Sequence, residues 1–229
     1  MPFSEVLQLD LPDPFPVTEF EAYHRSARAM LERPSDQRRE FNAASNLIGW
    51  RLRASIEHAQ ALTESWRAEG PRSFEALYVQ ERHLFEMFVC GVSSLEATCY
   101  SAFALLAGMD PTIAFDQRAR KNQSTPKTLA AVAPDGPIKD AAQSLSASAE
   151  WRIWNGYRNT MAHRTSVPRL ITGVGGGGDP PPPMVFEYMQ TWSTERLEGN
   201  EDEVTLHISW LCRSSKALFV AGQAQATGA

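Results

Sequence analysis

The sequence predicts a mainly α-helical protein: an up-and-down helical bundle with a small C-terminal β-hairpin and a final helix. Two long segments carry apolar residues at steps of three and four, the spacing of one face of a helix. Glycine and proline stand where these segments would end. Near the C-terminus, two short segments instead alternate apolar and polar residues, as strands do.

Residues 1–36 are predicted to form an N-terminal extended arm and a first helix. Alternate prolines in "LPDPFP" keep the chain extended and supply no backbone donors. Thr18 and Glu21 then have the spacing of a capping box. The first helix is therefore expected from Thr18 to about Glu32.

Residues 37–170 are predicted to form the bundle. A second helix covers roughly Gln37 to Glu69, and a glycine–proline pair stops it. Ser73 can cap a third helix from about Phe74 to Ala107. The third helix is apolar on most sides, so it is expected at the centre of the bundle. Two glutamates within its apolar run favour a buried helix over a membrane span.

The segment 109–136 is predicted to be mostly loop, and it contains the basic stretch "DQRARKNQSTPK". Thr125 followed by proline can open a short helix there, because proline suits the first helical position. Another helix is expected from Ile138 to Ala147. A further helix follows Ser148 and carries the stretch "YRNTMAHR".

Residues 171–183, with tetraglycine and tetraproline, are predicted to be a spacer, and 184–229 to be the C-terminal hairpin and helix. The strands are expected in "MVFEYMQTW" and "VTLHISW", joined by the polar turn "STERLEGNEDE". The last helix is expected from about Ser209 to Gln223. The spacer also contains G-x-G-x-x-G, but prolines follow where a dinucleotide site needs a helix.

The composition narrows the class of function. The net charge of -5 argues against strong, indiscriminate binding of nucleic acid, although a local basic site is compatible with it. Three widely spaced cysteines and the absence of a signal-peptide pattern indicate a cytoplasmic protein that is not a membrane protein. No metal-ligand motif and no cofactor motif is visible, so we expect neither a metal nor a cofactor.

The candidate catalytic residues are Arg158, Asn159 and His163 in "YRNTMAHR". On a helix, Asn159 and His163 are one turn apart on one face, and the long side chain of Arg158 can swing towards them. A histidine can take up or give a proton near neutral pH, and a guanidinium can hold two oxygens of a carboxylate or phosphate. A second arginine–histidine pair, Arg53 and His58, lacks the asparagine.

The motif "RNTMAH", preceded by the apolar helix "FVCGVSSLEATCYSAFALL", resembles the HEPN superfamily over about residues 37–169. The resemblance implies a metal-independent endoribonuclease, with His163 as general base and acid and Arg158 stabilising the phosphate. It also implies a homodimer that acts on single-stranded RNA as a toxin or defence effector, with an antitoxin or partner protein. Because many HEPN proteins lack activity, the alternative is a non-catalytic protein- or RNA-binding module.

Further residues complete the predicted site. Glu96 would be costly to bury alone, so it is expected to orient Arg158, with Tyr157 in the same supporting set. The residues expected to steer RNA are Arg118, Arg120, Lys121 and Arg164. The alternative is that the arginines are simply solvated and that His163 stabilises the end of its helix.

Overall fold

The fold was obtained as a computed structural model, and it is mainly α-helical, as predicted. The structure describes residues 1–69, 73–163, 169–170, 184–189, 194–199 and 201–228. The helices are α1 (Val17–Met30), α2 (Asp36–Glu69), α3 (Phe74–Met109), α4 (Gln117–Asn122), α5 (Pro126–Val132), α6 (Pro137–Ala147), α7 (Ala149–His163) and α8 (Glu201–Thr227). The strands are β1 (Phe3–Ser4), β2 (Leu9–Asp10), β3 (Arg169–Leu170), β4 (Met184–Met189) and β5 (Thr194–Gly199).

The pair α2–α3 forms the centre of the bundle. The Ser73 side chain caps α3 by accepting a hydrogen bond from the Ala76 amide at 3.1 Å, as the sequence predicts. The apolar stripe of α2 is buried against α3 and the neighbouring helices. Its buried members are Phe41, Ile48, Leu52, Ile56, Ala59, Leu62 and Trp66. This burial confirms the three- and four-residue spacing as a core signal.

Among the described residues, α3 is the one helix with the length and hydropathy of a membrane span. However, 78% of its most apolar window is buried inside the molecule. This is the environment of a core helix in a soluble protein, because a membrane helix presents apolar side chains to lipid.

The N-terminal segment differs from the extended arm that the prolines predict. The strands β1 and β2 pair antiparallel. The Glu21 carboxylate holds this ribbon, accepting hydrogen bonds from Ser4 Oγ at 3.1 Å and from the Glu5 amide at 2.7 Å. The predicted capping box at Thr18 is therefore wrong: α1 begins after Pro16, without a side-chain cap.

The segment predicted as mostly loop contains two short helices. The Thr125 side chain caps α5 in a capping box with Thr128, and proline occupies the first turn, as expected. The helix α4 was not expected. It begins where the Asp116 side chain accepts a hydrogen bond from the Ala119 amide at 2.8 Å. A helix of this length is too short to show an apolar periodicity.

The C-terminal hairpin is present, but its second strand lies elsewhere. The strands β4 and β5 pair antiparallel from Met184↔Gly199 to Met189↔Thr194, and β3 pairs with β4. The predicted strand "VTLHISW" is wrong, because these residues belong to α8. Val204, Ile208 and Leu211 are buried at helical spacing. The predicted spacer, 171–183, lies outside the described residues.

The final helix completes the core of the bundle. It packs against α1, α2, α3 and α6. The Phe219 ring stacks on Tyr23 with the ring centroids 5.9 Å apart. A Cβ on Gly222 would lie 2.4 Å from the Tyr23 ring, so this close approach of α8 to α1 requires glycine.

Candidate functional site

The helix that carries the predicted catalytic motif is fixed by its aromatic side. Ser148 Oγ accepts a hydrogen bond from the Trp151 amide at 3.1 Å where α7 begins. Trp154 and Tyr157 are fully buried, and the Phe88 ring of α3 lies 4.7 Å from both of them, centroid to centroid. Tyr157, predicted to support Arg158, is therefore a core residue. This packing fixes the rotation of α7 about its own axis.

The polar edge of α7 presents Arg158 to α3. Its Nη2 donates to Glu96 Oε1 at 2.7 Å and to Asn155 Oδ1 at 3.1 Å. The side chains of Arg158 and Glu96 are 27% and 26% exposed, so the ion pair is half-buried. The geometry thus brings Glu96 and Arg158 together, and Asn155 joins them from the preceding turn.

The guanidinium is directed towards the start of α7, because Asn155 precedes Arg158 by almost one turn. His163 is the last residue of α7, and its side chain lies outside the described part of the chain, as does Arg164. Successive helical positions are about 100° apart, which places positions 158 and 163 about 140° apart around the axis. Asn159 is half-buried and lies between these two positions.

Burial and charge act in opposite directions on Glu96. Burial raises the pKa of the Glu96 carboxyl, and the charge and hydrogen bond of Arg158 lower it by a smaller amount. The net shift is upward. Desolvation therefore exceeds the attraction between the two groups, as is common for an ion pair withdrawn from water.

Glu96 also lines a groove of about 360 Å³ between α2 and α3, called here the α2–α3 groove. The lining residues are Glu40, Ala43, Ala44, Leu47, Ser93, Glu96, Ala97, Tyr100 and Ser124. Alanine and serine supply much of the surface, and short side chains leave the space open. The ion pair with Arg158 therefore lies at an open feature of the surface rather than inside the core.

A second arginine is anchored at the same groove. Arg120 Nη1 donates to Glu40 Oε1 at 3.1 Å, and the Tyr100 hydroxyl donates to Glu40 Oε2 at 3.1 Å. The Arg120 guanidinium also lies 5.7 Å from the centroid of the Phe115 ring. Burial and the neighbouring Glu40 raise the pKa of Tyr100 to about 12, so its hydroxyl stays a donor at neutral pH.

The other predicted RNA-steering residues in the described part of the chain, Arg118 and Lys121, are exposed on α4. Arg120 of the same short helix bonds to Glu40 at the groove, whereas position 118 lies about 200° from position 120 around the helix axis, on the opposite side of α4. The sequence pointed to the cations, but it gave no signal for Glu40, which lies 80 residues before Arg120. Asn155 could have been found from its spacing to Arg158.

The second arginine–histidine pair of the sequence does not form a common site. Arg53 Nε donates to Glu57 at 2.6 Å, and its Nη1 donates to the Asp10 carbonyl at 2.8 Å. His58 instead contacts His83 of α3. Sequence spacing alone therefore does not bring an arginine and a histidine together.

Within the described residues, no group of three or more histidine, cysteine, aspartate or glutamate side chains is placed to hold a metal ion. Compared with protein-family models, with curated proteins and with solved structures, the chain has no significant match. A function for this chain is therefore inferred from the groove and from the motif of α7.

Proposed function

We propose that this chain is a metal-independent endoribonuclease of the HEPN type, cytoplasmic and homodimeric, acting as a toxin or defence effector. The observation that supports it best is that Glu96 and Glu40, which both line the α2–α3 groove, form ion pairs with Arg158 and Arg120. Two fixed guanidinium groups beside one open groove suit a chain of phosphates, since a guanidinium binds phosphate oxygens in a defined geometry.

Anchoring leaves Arg158 able to bind a phosphate. Its bonds to Glu96 and Asn155 both leave from Nη2, and its Nε is buried. The N–H groups of Nη1 are the donors suited to a phosphate oxygen. An arginine already held by a carboxylate loses less conformational freedom when it binds, so the pair with Glu96 preorganises the site.

In the proposed reaction, His163 removes the proton from a ribose 2′-hydroxyl, and the oxygen attacks the adjacent phosphorus. Arg158 stabilises the charge on the phosphate oxygens as the bond to the 5′-oxygen breaks. The leaving oxygen takes a proton from the imidazolium of a second copy of the chain. The products are a 2′,3′-cyclic phosphate and a 5′-hydroxyl, and no metal is required.

The test is cleavage of single-stranded RNA in EDTA by purified full-length protein. We expect cyclic phosphate ends, and a rate lower by about 10²–10⁴-fold in His163→Ala, the range for loss of a general base. Arg158→Ala should cause a comparable loss. Sedimentation should show a dimer for the wild type and for both variants.

Arg152→Ala is the matched control, because Arg152 is an exposed arginine of the same helix. It should cleave RNA at the wild-type rate. Equal, trace cleavage by the wild type and His163→Ala across RNAs of varied sequence would show that the chain is not a nuclease.

One observation favours a second function, a non-catalytic binding module. The Arg158 guanidinium is neutralised by Glu96 and directed towards Asn155, the arrangement of a structural ion pair. In this case the chain would bind a partner protein, such as an antitoxin, or it would bind an RNA without cleaving it. Binding would then be the same for the wild type and His163→Ala, whereas expression of the proposed nuclease should be toxic and His163→Ala should relieve the toxicity.

A further inference from the structure

A second cluster of titratable side chains lies on the α2–α3 pair, away from the α2–α3 groove. Its centre is His58 of α2 and His83 of α3, which face each other across the helix contact. His83 precedes Glu96 by 13 residues on α3, which is about 20 Å along a helix. This cluster is therefore separate from the residues proposed to bind RNA.

The two imidazole rings face each other through the same atom. The Nδ1 atoms lie 3.0 Å apart, and the ring centroids lie 5.2 Å apart. Both rings are half-buried, so solvent and a small ion can reach them. At this distance the two atoms share a hydrogen bond, so one Nδ1 carries the proton and the other accepts it. A metal ion would take the place of this proton once it has moved to the Nε2 of the same ring, which leaves two lone pairs, from different helices, facing the same small space.

We propose that His58 and His83 form a two-histidine site for a divalent transition-metal ion such as Zn²⁺, which clamps α2 to α3. Imidazole nitrogen is a preferred ligand of zinc, copper and nickel. Water molecules complete the coordination shell, because no third protein ligand is already in place among the described residues.

The spacing of the two nitrogens fits this role with a small movement. Zinc binds imidazole nitrogen at about 2.0–2.1 Å, so two nitrogens at a tetrahedral angle are about 3.3 Å apart. The observed 3.0 Å separation must open by roughly 0.3 Å, which a small rotation of the rings can provide.

A carboxylate of α3 also neighbours this pair of rings. Glu86 lies one turn after His83 on α3, and its carboxylate makes a long 3.9 Å contact with Cys90 Sγ. Glu86 can therefore approach the ion as an outer carboxylate, a common partner of metal-bound histidine.

The test is titration of metal-stripped, full-length protein with ZnCl₂ at pH 7.5, followed by calorimetry and by thermal unfolding. We expect one ion per chain and a higher Tm with zinc, since an ion that binds the folded state stabilises it. His58→Ala or His83→Ala should weaken binding by about 100-fold or more, because outer-shell partners alone change metal affinity by about 10–100-fold.

Gln60→Ala is the matched control, because Gln60 is exposed on α2 two positions after His58, and it should bind zinc like the wild type. His24 and His207 are excluded as ligands by burial. If neither the His58 variant nor the His83 variant folds, the site can be tested by electron paramagnetic resonance of the wild type with Cu²⁺. The spectrum should then show two histidine nitrogens coordinated to the copper. Absence of nitrogen coupling, or zinc binding unchanged in the folded His58 and His83 variants, would overturn the proposal.

Discussion

The two sides of α7 differ in what fixes them. On the aromatic side, Trp154 and Tyr157 are enclosed by rings of α3 and α8, including Phe88, His207 and Trp210. On the polar edge, Arg158 is held by two hydrogen bonds and remains partly exposed. The aromatic side therefore determines the position of the helix, and that position in turn places the Arg158 guanidinium on the polar edge.

This difference predicts different responses to change. A close-packed aromatic cluster is sensitive to added atoms and to buried charge, because neither can be relieved by solvent. A half-buried ion pair is less sensitive, because water partly replaces the lost partner. We therefore expect large effects on stability from the aromatic side, and small ones from the polar edge.

Acid should produce the largest effect. His207 is 8% exposed beside Trp154, and burial lowers its pKa to about 4 from 6.5, with Glu150 opposing weakly. The unfolded chain binds a proton first, so stability is complete above pH 6.5 and falls towards pH 4. The loss should be on the order of 3 kcal/mol for this ring, measured by urea unfolding at a series of pH values.

His207→Phe is the control for the acid effect, since it keeps a ring and removes the proton. Its stability should fall less steeply between pH 6.5 and 4. Some decline of stability with falling pH should remain because of His24. This ring is buried between the Phe20 and Phe41 rings, and burial lowers its pKa to about 4 as well. An unchanged slope in His207→Phe would contradict the burial of a neutral ring.

Gly91→Ala should produce the next effect. A Cβ at Gly91 would lie 2.1 Å from the six-membered ring of Trp154, which is fully buried and cannot move aside. Overpacking costs about 1–3 kcal/mol, partly offset by about 1 kcal/mol from the better helix propensity of alanine. Chemical denaturation should show a net loss of stability.

Gly49→Ala is the matched control, because its Cβ would also lie 2.1 Å from a neighbouring atom. That atom is a terminal methyl of Leu7, a half-buried and flexible side chain. Gly49→Ala should therefore be neutral or slightly stabilising. Equal losses at the two glycines would mean that the Trp154 ring is not held more firmly than Leu7.

The difference between the two sides of α7 also explains which features of the structure could be predicted from the sequence. The aromatic side was predictable, because Trp151, Trp154 and Tyr157 recur at helical spacing and burial follows from that periodicity. The strand predicted in "VTLHISW" failed because a short apolar alternation also fits a helix whose buried positions are Val204, Ile208 and Leu211. A short segment does not distinguish the two periods.

The polar edge was predictable only in part. The pairing of Glu96 with Arg158 follows from the cost of burying a lone carboxylate in an apolar helix. The direction of the guanidinium towards Asn155, and the anchoring of Arg120 by Glu40, depend on which helices are neighbours. Contacts between residues far apart in sequence are set by the packing of the whole bundle and leave no local pattern.

The smallest effect on stability should come from the ion pair itself, in a double-mutant cycle with Glu96→Gln and Arg158→Gln. Because the pKa of Glu96 is raised, its contribution to stability is present at low pH and declines as the carboxyl ionises with rising pH. Glu96→Gln removes this decline. Because water screens a half-buried ion pair, the coupling energy between positions 96 and 158 should be within about 1 kcal/mol at pH 7.

If the proposed nuclease is correct, RNA cleavage by Glu96→Gln should fall far more than its stability, because a displaced guanidinium no longer meets the phosphate. A coupling energy of several kcal/mol would instead identify the pair as a structural element of the core.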